Sequence, residues 1–356
     1  MRDNYEVFLT LLREGINHGR SHFPQNAQWQ AIKALADEQG LTAVMLDGLE
    51  RLPDSFRPSK EYLLEWIGEV LQNYEQRYAQ YEKAIGSLAK WHNENGLKMM
   101  LLKGYACSLD WPKPNHRPCG DIDIWQFGKQ KDADELLAKD KGVKIDGSHH
   151  HHTVFEWQGF TVENHYDFIN IYAHKTGKEQ EAIFKELGQD NSNHIELDGE
   201  MVYLPSFNLH ALFLIRHLAN HFVSMEITLR QVLDWAFFVE KHTNKIDWTW
   251  LVGLLEKYHL KDFYNCINAI CVGDLGFNVN ILPQVQFDPE LKDRILEEII
   301  HPTIPSERPS GLFSRIVWKW KRWRANEWKH HLVYDENRWS AFWRGVWNHI
   351  LKPSSI

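Results

Sequence analysis

Cysteine is scarce in this chain: Cys107, Cys119, Cys266 and Cys271 are the four among 356 residues. So few thiols cannot frame a disulfide scaffold, and their spacing offers no Cys-x-x-Cys zinc pair. Long charge-free apolar runs are absent too, which excludes a membrane span of about twenty residues. The first residues do not pass from basic to apolar to small, as an export leader does. With a mean hydropathy of −0.48, the default expectation is a soluble, cytoplasmic protein. Positive charge is in deficit, and a formal net charge of −8 argues against a protein that coats nucleic acid while leaving room for a local basic groove. No repeat or low-complexity linker interrupts the chain, so domain limits must be read from changes in hydrophobic period. Its length suffices for a large core and two or more domains.

What is present centres on Gly120, Asp121, Ile122, Asp123, Ile124 and Trp125. Alternation of acid with Ile or Trp is the period of a half-buried strand, so Asp121 and Asp123 leave the same face. Their Cα atoms then lie about 6.5 Å apart, close enough for the carboxylates to share a divalent metal. Before this strand, Lys98 to Leu102 has the length and apolarity of another strand, and Lys103 and Gly104 end it. Arg117 precedes the acidic strand. Further on, His149 to Phe168 reads as a hairpin turning at Gln158 and Gly159, and its second arm places Glu163 and His165 on one side. A neighbouring strand of this kind would bring a third carboxylate to the first two.

Leu102-Lys103-Gly104, Arg117 with Gly120 to Ile124, and Val162-Glu163 with His165, in that order, resemble the nucleotidyltransferase superfamily with the polymerase-β-like catalytic domain, and more closely its little-characterised bacterial branch. The resemblance covers roughly residues 80 to 170. It implies an α+β fold with a mixed-sheet core between N-terminal and C-terminal helical regions. It also implies that a nucleoside triphosphate (NTP) is positioned with Mg²⁺, or Mn²⁺, for transfer of its nucleotidyl group to an acceptor hydroxyl. On this reading Asp121, Asp123 and Glu163 are the catalytic, metal-binding acids, and Lys103, Gly104 and Arg117 serve the triphosphate. The superfamily's usual small residue after the glycine is Tyr105 here, a departure at the phosphate contact.

The rest of the chain reads as helical. Asn4 to Leu12, Ala27 to Glu38 and Glu61 to about His92 form an N-terminal region, residues 1–95, with an apolar stripe of Leu63, Leu64, Ile67, Val70 and Leu71. Tyr74, Gln76, Tyr78, Gln80 and Tyr81 read as solvent-facing surface. The catalytic core is expected over 96–200. Within it, His149 to His152 would face alternate sides of an extended strand, which argues against one four-ligand metal site and for an exposed or substrate-facing hairpin. From Ser206 the period becomes that of packed apolar helices, an acceptor-side or lid domain over 201–300. There His217, Arg230 and Asp234, with His165, are acceptor-side candidates, although structural histidines and a local Arg230–Asp234 pair explain the same spacing. Pro302, Pro305 and Pro309 introduce an extension, 301–356, in which Trp318, Trp320, Trp323 and Trp328 interleave with Arg and Lys. Docking on the protein's own fold is its first expectation. Recognition of a polyanionic acceptor and peripheral contact with an anionic membrane are the alternatives.

The acceptor class is open between protein, small molecule and polyanion. Two other functions fit clustered carboxylates less fully: a divalent-metal phosphoesterase, and a nucleotide-binding or protein-interaction module that has lost catalysis.

Overall fold

The computed structural model describes residues 2–19, 27–172, 174–283, 286–304 and 309–351; the turn expected at Pro305 lies outside them. The chain begins with α1 (Arg2–Gly15), α2 (Trp29–Gln39) and α3 (Thr42–Glu50), the last buried along most of its length. Ser59 caps α4 (Lys60–Val70) by accepting the Tyr62 N–H. A π-helical stretch, Leu71–Gln76, then leads directly into α5 (Arg77–Glu94), so a single rod runs through the stretch read as one helix from Glu61 to about His92.

Two expectations for this rod are corrected. Leu64, Ile67 and Leu71 of the expected stripe are exposed, by 57%, 40% and 48%, whereas Val70 is buried as expected and α4 docks through it together with Trp66. The Trp66 indole N–H donates to the Thr42 carbonyl at 2.9 Å. Tyr78 and Tyr81, read as surface, are buried. The Tyr81 ring packs on Phe160 of the sheet and Tyr78 stacks on Tyr105, while Arg77 covers the Phe160 ring and Glu82 accepts from the Tyr105 hydroxyl.

The sheet follows: β1 (Met100–Leu101), the short α6 (Tyr105–Ser108), β2 (Ile122–Trp125), α7 (Gln130–Lys141), β3 (His152–Trp157), β4 (Phe160–His165), α8 (Gly177–Leu187), β5 (His194–Leu197) and β6 (Glu200–Tyr203). Its six strands run in the order β3-β4-β2-β1-β6-β5. β2 lies parallel to β4 and antiparallel to β1, while β1 and β6 are parallel, so the sheet is mixed and the architecture α+β, as expected.

Alternation divides the sheet between two apolar cores. Leu101, Ile122, Ile124 and Val162 face Tyr81, Ile85 and Leu88 of α5. Met100, Leu102 and Trp125 face a larger core that also contains Phe168 and the helices that follow. Each fully buried Ile or Leu contributes about 1.5–3 kcal/mol, so the strand carrying the acids is held from both faces.

Glu181 on α8 fastens the chain just beyond β4, accepting the N–H groups of Phe168 and Ile169 at 3.0 Å each. Burial raises this carboxyl to about 7, against the two backbone hydrogen bonds that pull it down. A raised carboxyl folds best when neutral, so its contribution is fully present below the unfolded value near 4.5 and is lost as pH rises through 7. Glu181→Gln is therefore expected to flatten the pH dependence of stability between 4.5 and 7, a slope worth up to about 3 kcal/mol, as read from urea melts across that range.

Helices α9 (Phe207–Ser224), α10 (Leu229–His242), α11 (Trp248–Lys257), α12 (Lys261–Gly273) and α13 (Pro289–Ile300) cover the second face. A capping box at Thr228 and Gln231 starts α10. The extension comprises α14 (Leu312–Ala325), α15 (Glu327–Val333) and α16 (Arg338–Leu351). α15 docks on the fold: Lys329 pairs with Glu298 at 2.8 Å, the Asn326 amide donates to the Val223 carbonyl, and Val333 is fully buried. α14 instead displays Phe313 (79% exposed) and Trp320 (55%). Among the described residues, no helix is long and apolar enough to cross a membrane.

Candidate active site

Parallel pairing of β2 with β4 sets the site. Asp123 stands opposite Glu163, and Trp125 opposite His165, so the acidic residues of one strand and the Glu-x-His of the other share a face. Asp123 Oδ1 is 3.1 Å from His165 Nε2 and 3.0 Å from Lys103 Nζ, and the same imidazole nitrogen lies 3.5 Å from Glu163 Oε2. Asp123, Glu163 and His165 thus bring one donor atom each within 4.8 Å of one another. Asp121 is on the same face one step earlier, at the exposed edge, and is not part of that close set.

The charges explain each other. Burial and the neighbouring Glu163 and Asp123 charges raise the Asp121 carboxyl. Glu163 is lowered despite its burial, because His165 donates to it and Lys103 is near. Burial disfavours charge on His165 and Lys103, but the carboxylates outweigh it and raise both. Asp123 is 2% exposed, so the acidic face of a strand whose period reads as half-buried is covered here by the helical layer.

Gly104 ends the approach from β1 with φ at +61°, and a Cβ there would meet the Tyr81 hydroxyl at 2.8 Å. That hydroxyl donates to the Asp121 carbonyl at 2.8 Å, which links α5 to the start of the acidic strand. Gly104→Ala is expected to cost about 1–3 kcal/mol from left-handed backbone strain and to displace Tyr81, visible as a lowered thermal midpoint. Tyr105, the departure at this turn, stacks on Tyr78 and donates to Glu82 at 2.9 Å, so its ring packs into the α5 core.

Arg117 is engaged within the protein. Its Nε and one terminal nitrogen bind the two oxygens of Asp234 at 2.8 and 2.9 Å, and the other terminal nitrogen donates to the Pro118 carbonyl. Trp111 adds a third donor to Asp234 at 2.8 Å. This corrects the expectation of a local Arg230 pair, because Asp234 pairs across the chain with Arg117. Three of the five Arg117 N–H groups are engaged inside the protein. Arg230 lies beside this pair, its charge disfavoured by burial and by Arg117, and its Nε is buried without a hydrogen-bond partner.

On α9, the His217 and His221 rings lie 4.2 Å apart between centres, tilted by 46°. Burial lowers both, with Lys103 the largest charge acting on each, so this helix turn lies over the carboxylates. The histidine run also reaches the site. His151 and His152 group with His165 within 4.8 Å, and burial holds them neutral, His152 at about 4. Of the two expectations for this run, exposed or substrate-facing, the exposed one is corrected, because His151 precedes β3 and is not bound to strict alternation. Tyr81, read as surface, is a site neighbour through its hydrogen bond to the Asp121 carbonyl. His221 is one helical turn from His217, a spacing that lets the two cooperate in a site.

Residues 25–272 match the family described as uncharacterised nucleotidyltransferase. Among solved structures, the chain is similar to an antigenic nucleotidyltransferase-like protein from Paracoccidioides brasiliensis, at 12% identity and a TM-score of 0.34, over 50% of this chain and 88% of that one. Comparison with curated proteins gives no match. The family match spans most of the chain and contains the whole acidic cluster, and on that ground the chain belongs to the uncharacterised nucleotidyltransferase family.

Proposed function

We propose that this chain transfers a nucleotidyl group from an NTP to an acceptor hydroxyl, with the acidic arrangement of a polymerase-β-like enzyme. The observation that carries the reading is the residue-to-residue pairing of Asp123 with Glu163, with Asp121 one step along the same face. Carboxylates are the donors that Mg²⁺ and Mn²⁺ prefer, and Asp123 uses only Oδ1 in its contacts with Lys103 and His165. Asp121, Asp123 and Glu163 would hold such an ion, whose chemistry is to neutralise triphosphate charge and make an acceptor hydroxyl easier to deprotonate.

The remaining residues position the reactants. Lys103 balances Asp123 in the free protein and is within reach of an arriving phosphate. His165 bonds Asp123 and approaches Glu163, fixing the two carboxylates relative to each other. The acceptor oxygen bonds to the α-phosphorus as the α–β phosphoanhydride bond breaks; pyrophosphate leaves, and the acceptor's proton passes to water. Of the other acceptor-side candidates, His217 lies on the helix over this space, while Arg230 and Asp234 stand at the Arg117 pair.

A second reading, a metallophosphoesterase, draws on His152, whose Nε2 is 3.7 Å from Glu163 Oε1, and on its grouping with His151 and His165. Incubation with Mg²⁺, each α-labelled NTP and a mixed acceptor extract separates the readings. Label entering an acceptor with release of pyrophosphate supports transfer, hydrolysis without labelling supports the second reading, and binding without turnover would show a non-catalytic nucleotide-binding module.

A further inference from the structure

A second cluster of metal-ligand chemistry lies where the C-terminal extension meets the core. Glu336, in the turn between α15 and α16, has a side chain only 4% exposed. One of its oxygens, Oε2, is engaged by Arg344 and by the Lys175 backbone N–H. The other, Oε1, faces two imidazoles: His174 Nδ1 at 2.5 Å and His330 Nε2 at 3.9 Å. His330 is 6% exposed, and neither of its ring nitrogens has a hydrogen-bond partner. Leaving both nitrogens of a buried imidazole unpaired is costly, and the usual explanation for such an orphan is an ion or water that completes it.

We infer that His174, His330 and Glu336 form a divalent transition-metal site that fastens the extension to the segment between β4 and α8. One donor atom from each residue already lies within 4.8 Å of the others. Tetrahedral Zn²⁺ with bonds of about 2.0–2.2 Å needs donors about 3.3 Å apart, so the His174–Glu336 contact opens slightly and the His330–Glu336 contact closes. Two imidazoles with one carboxylate suit Zn²⁺ and its neighbours and not Mg²⁺, which separates this site from the acidic cluster on β2 and β4. Three protein ligands leave a fourth position. His174 and Arg344 also line an 830 Å³ cavity with Lys175, Lys178 and Trp343. The ligand completing the ion is accordingly water or an anionic oxygen that these cations attract.

The full chain, in excess Mg²⁺ to occupy the carboxylate site, is titrated with Zn²⁺ and followed by calorimetry and thermal melting. One ion should bind, and at 100-fold excess over its dissociation constant it should raise the midpoint by about 3–4 °C. His330→Leu removes no hydrogen bond and should still fold, with affinity at this site reduced by about 100-fold or more; His174→Ala should behave alike. No Zn²⁺ binding by the wild type, or an equal thermal shift in both variants, overturns the site. Crystals of the wild type equilibrated with Zn²⁺ give a test independent of any variant. Anomalous density between His174, His330 and Glu336 is expected; density only at His151, His152 and His165, or none, also overturns it.

Discussion

Asparagine at both Asp121 and Asp123 is expected to lower nucleotidyl transfer by on the order of 10³-fold or more, because each change removes a charged oxygen donor while nearly conserving volume. The structural costs of the two changes differ. Asp121 lies at an exposed edge, where substitutions usually stay within about 0.5 kcal/mol. Asp123 is buried against Lys103 and His165, and its amide would leave the ammonium group short of a counter-charge, at a cost of about 1–3 kcal/mol. Circular dichroism and thermal melting beside the transfer assay separate loss of chemistry from loss of fold. Glu163→Gln should suppress transfer while retaining part of the NTP affinity. Full activity in a folded double variant would sink the metal mechanism, and intact activity in Glu163→Gln as well would remove the active site from these strands.

The largest stability effect is expected at Asp234. Removing this carboxylate leaves the buried guanidinium of Arg117 unpaired beside Arg230 and strands the Trp111 N–H. Asp234→Ala should therefore cost about 3–5 kcal/mol in a denaturant melt. Replacing both partners by apolar residues, Arg117→Met with Asp234→Leu, should recover much of that loss, because no charge is then left in the interior. A loss below about 1 kcal/mol for Asp234→Ala would show that the pair is solvated in solution. The same variants address the assignment of Arg117. As a structural pin it should alter transfer only in proportion to unfolding, whereas a phosphate ligand would weaken NTP binding in the folded protein.

Local periodicity carried the acidic face. Asp121 and Asp123 alternate with Ile122 and Ile124, and Glu163 alternates with Val162 and Asn164, so each strand displays its own donors without reference to the rest of the molecule. Which strands are neighbours is a non-local fact. β4 pairs with β2 in parallel, and β3 lies outside it. The Arg117–Asp234 bond joins residues 117 positions apart, and a closer candidate, Arg230, concealed it by offering an i, i+4 partner. Tyr78 and Tyr81 were obscured by composition: a helix with one aromatic face and many polar neighbours reads as surface until something covers it. The burial of Asp123 follows from the helices that close over the sheet, which an alternating pattern cannot report. The stripe on α4 failed for the opposite reason, since Leu64, Ile67 and Leu71 have the right spacing but most of the packing goes through Trp66.

Pairing Asp123 directly with Glu163 on neighbouring, doubly covered strands has a consequence for how the protein loses activity. These donors cannot separate by fraying of a loop, since parting them requires breaking the β2–β4 ladder and opening both cores. Amide protons of that ladder should accordingly exchange only through the largest openings of the molecule. Heat inactivation should then coincide with global unfolding instead of preceding it, so residual activity after a heat step would report directly on the fraction of chains still folded.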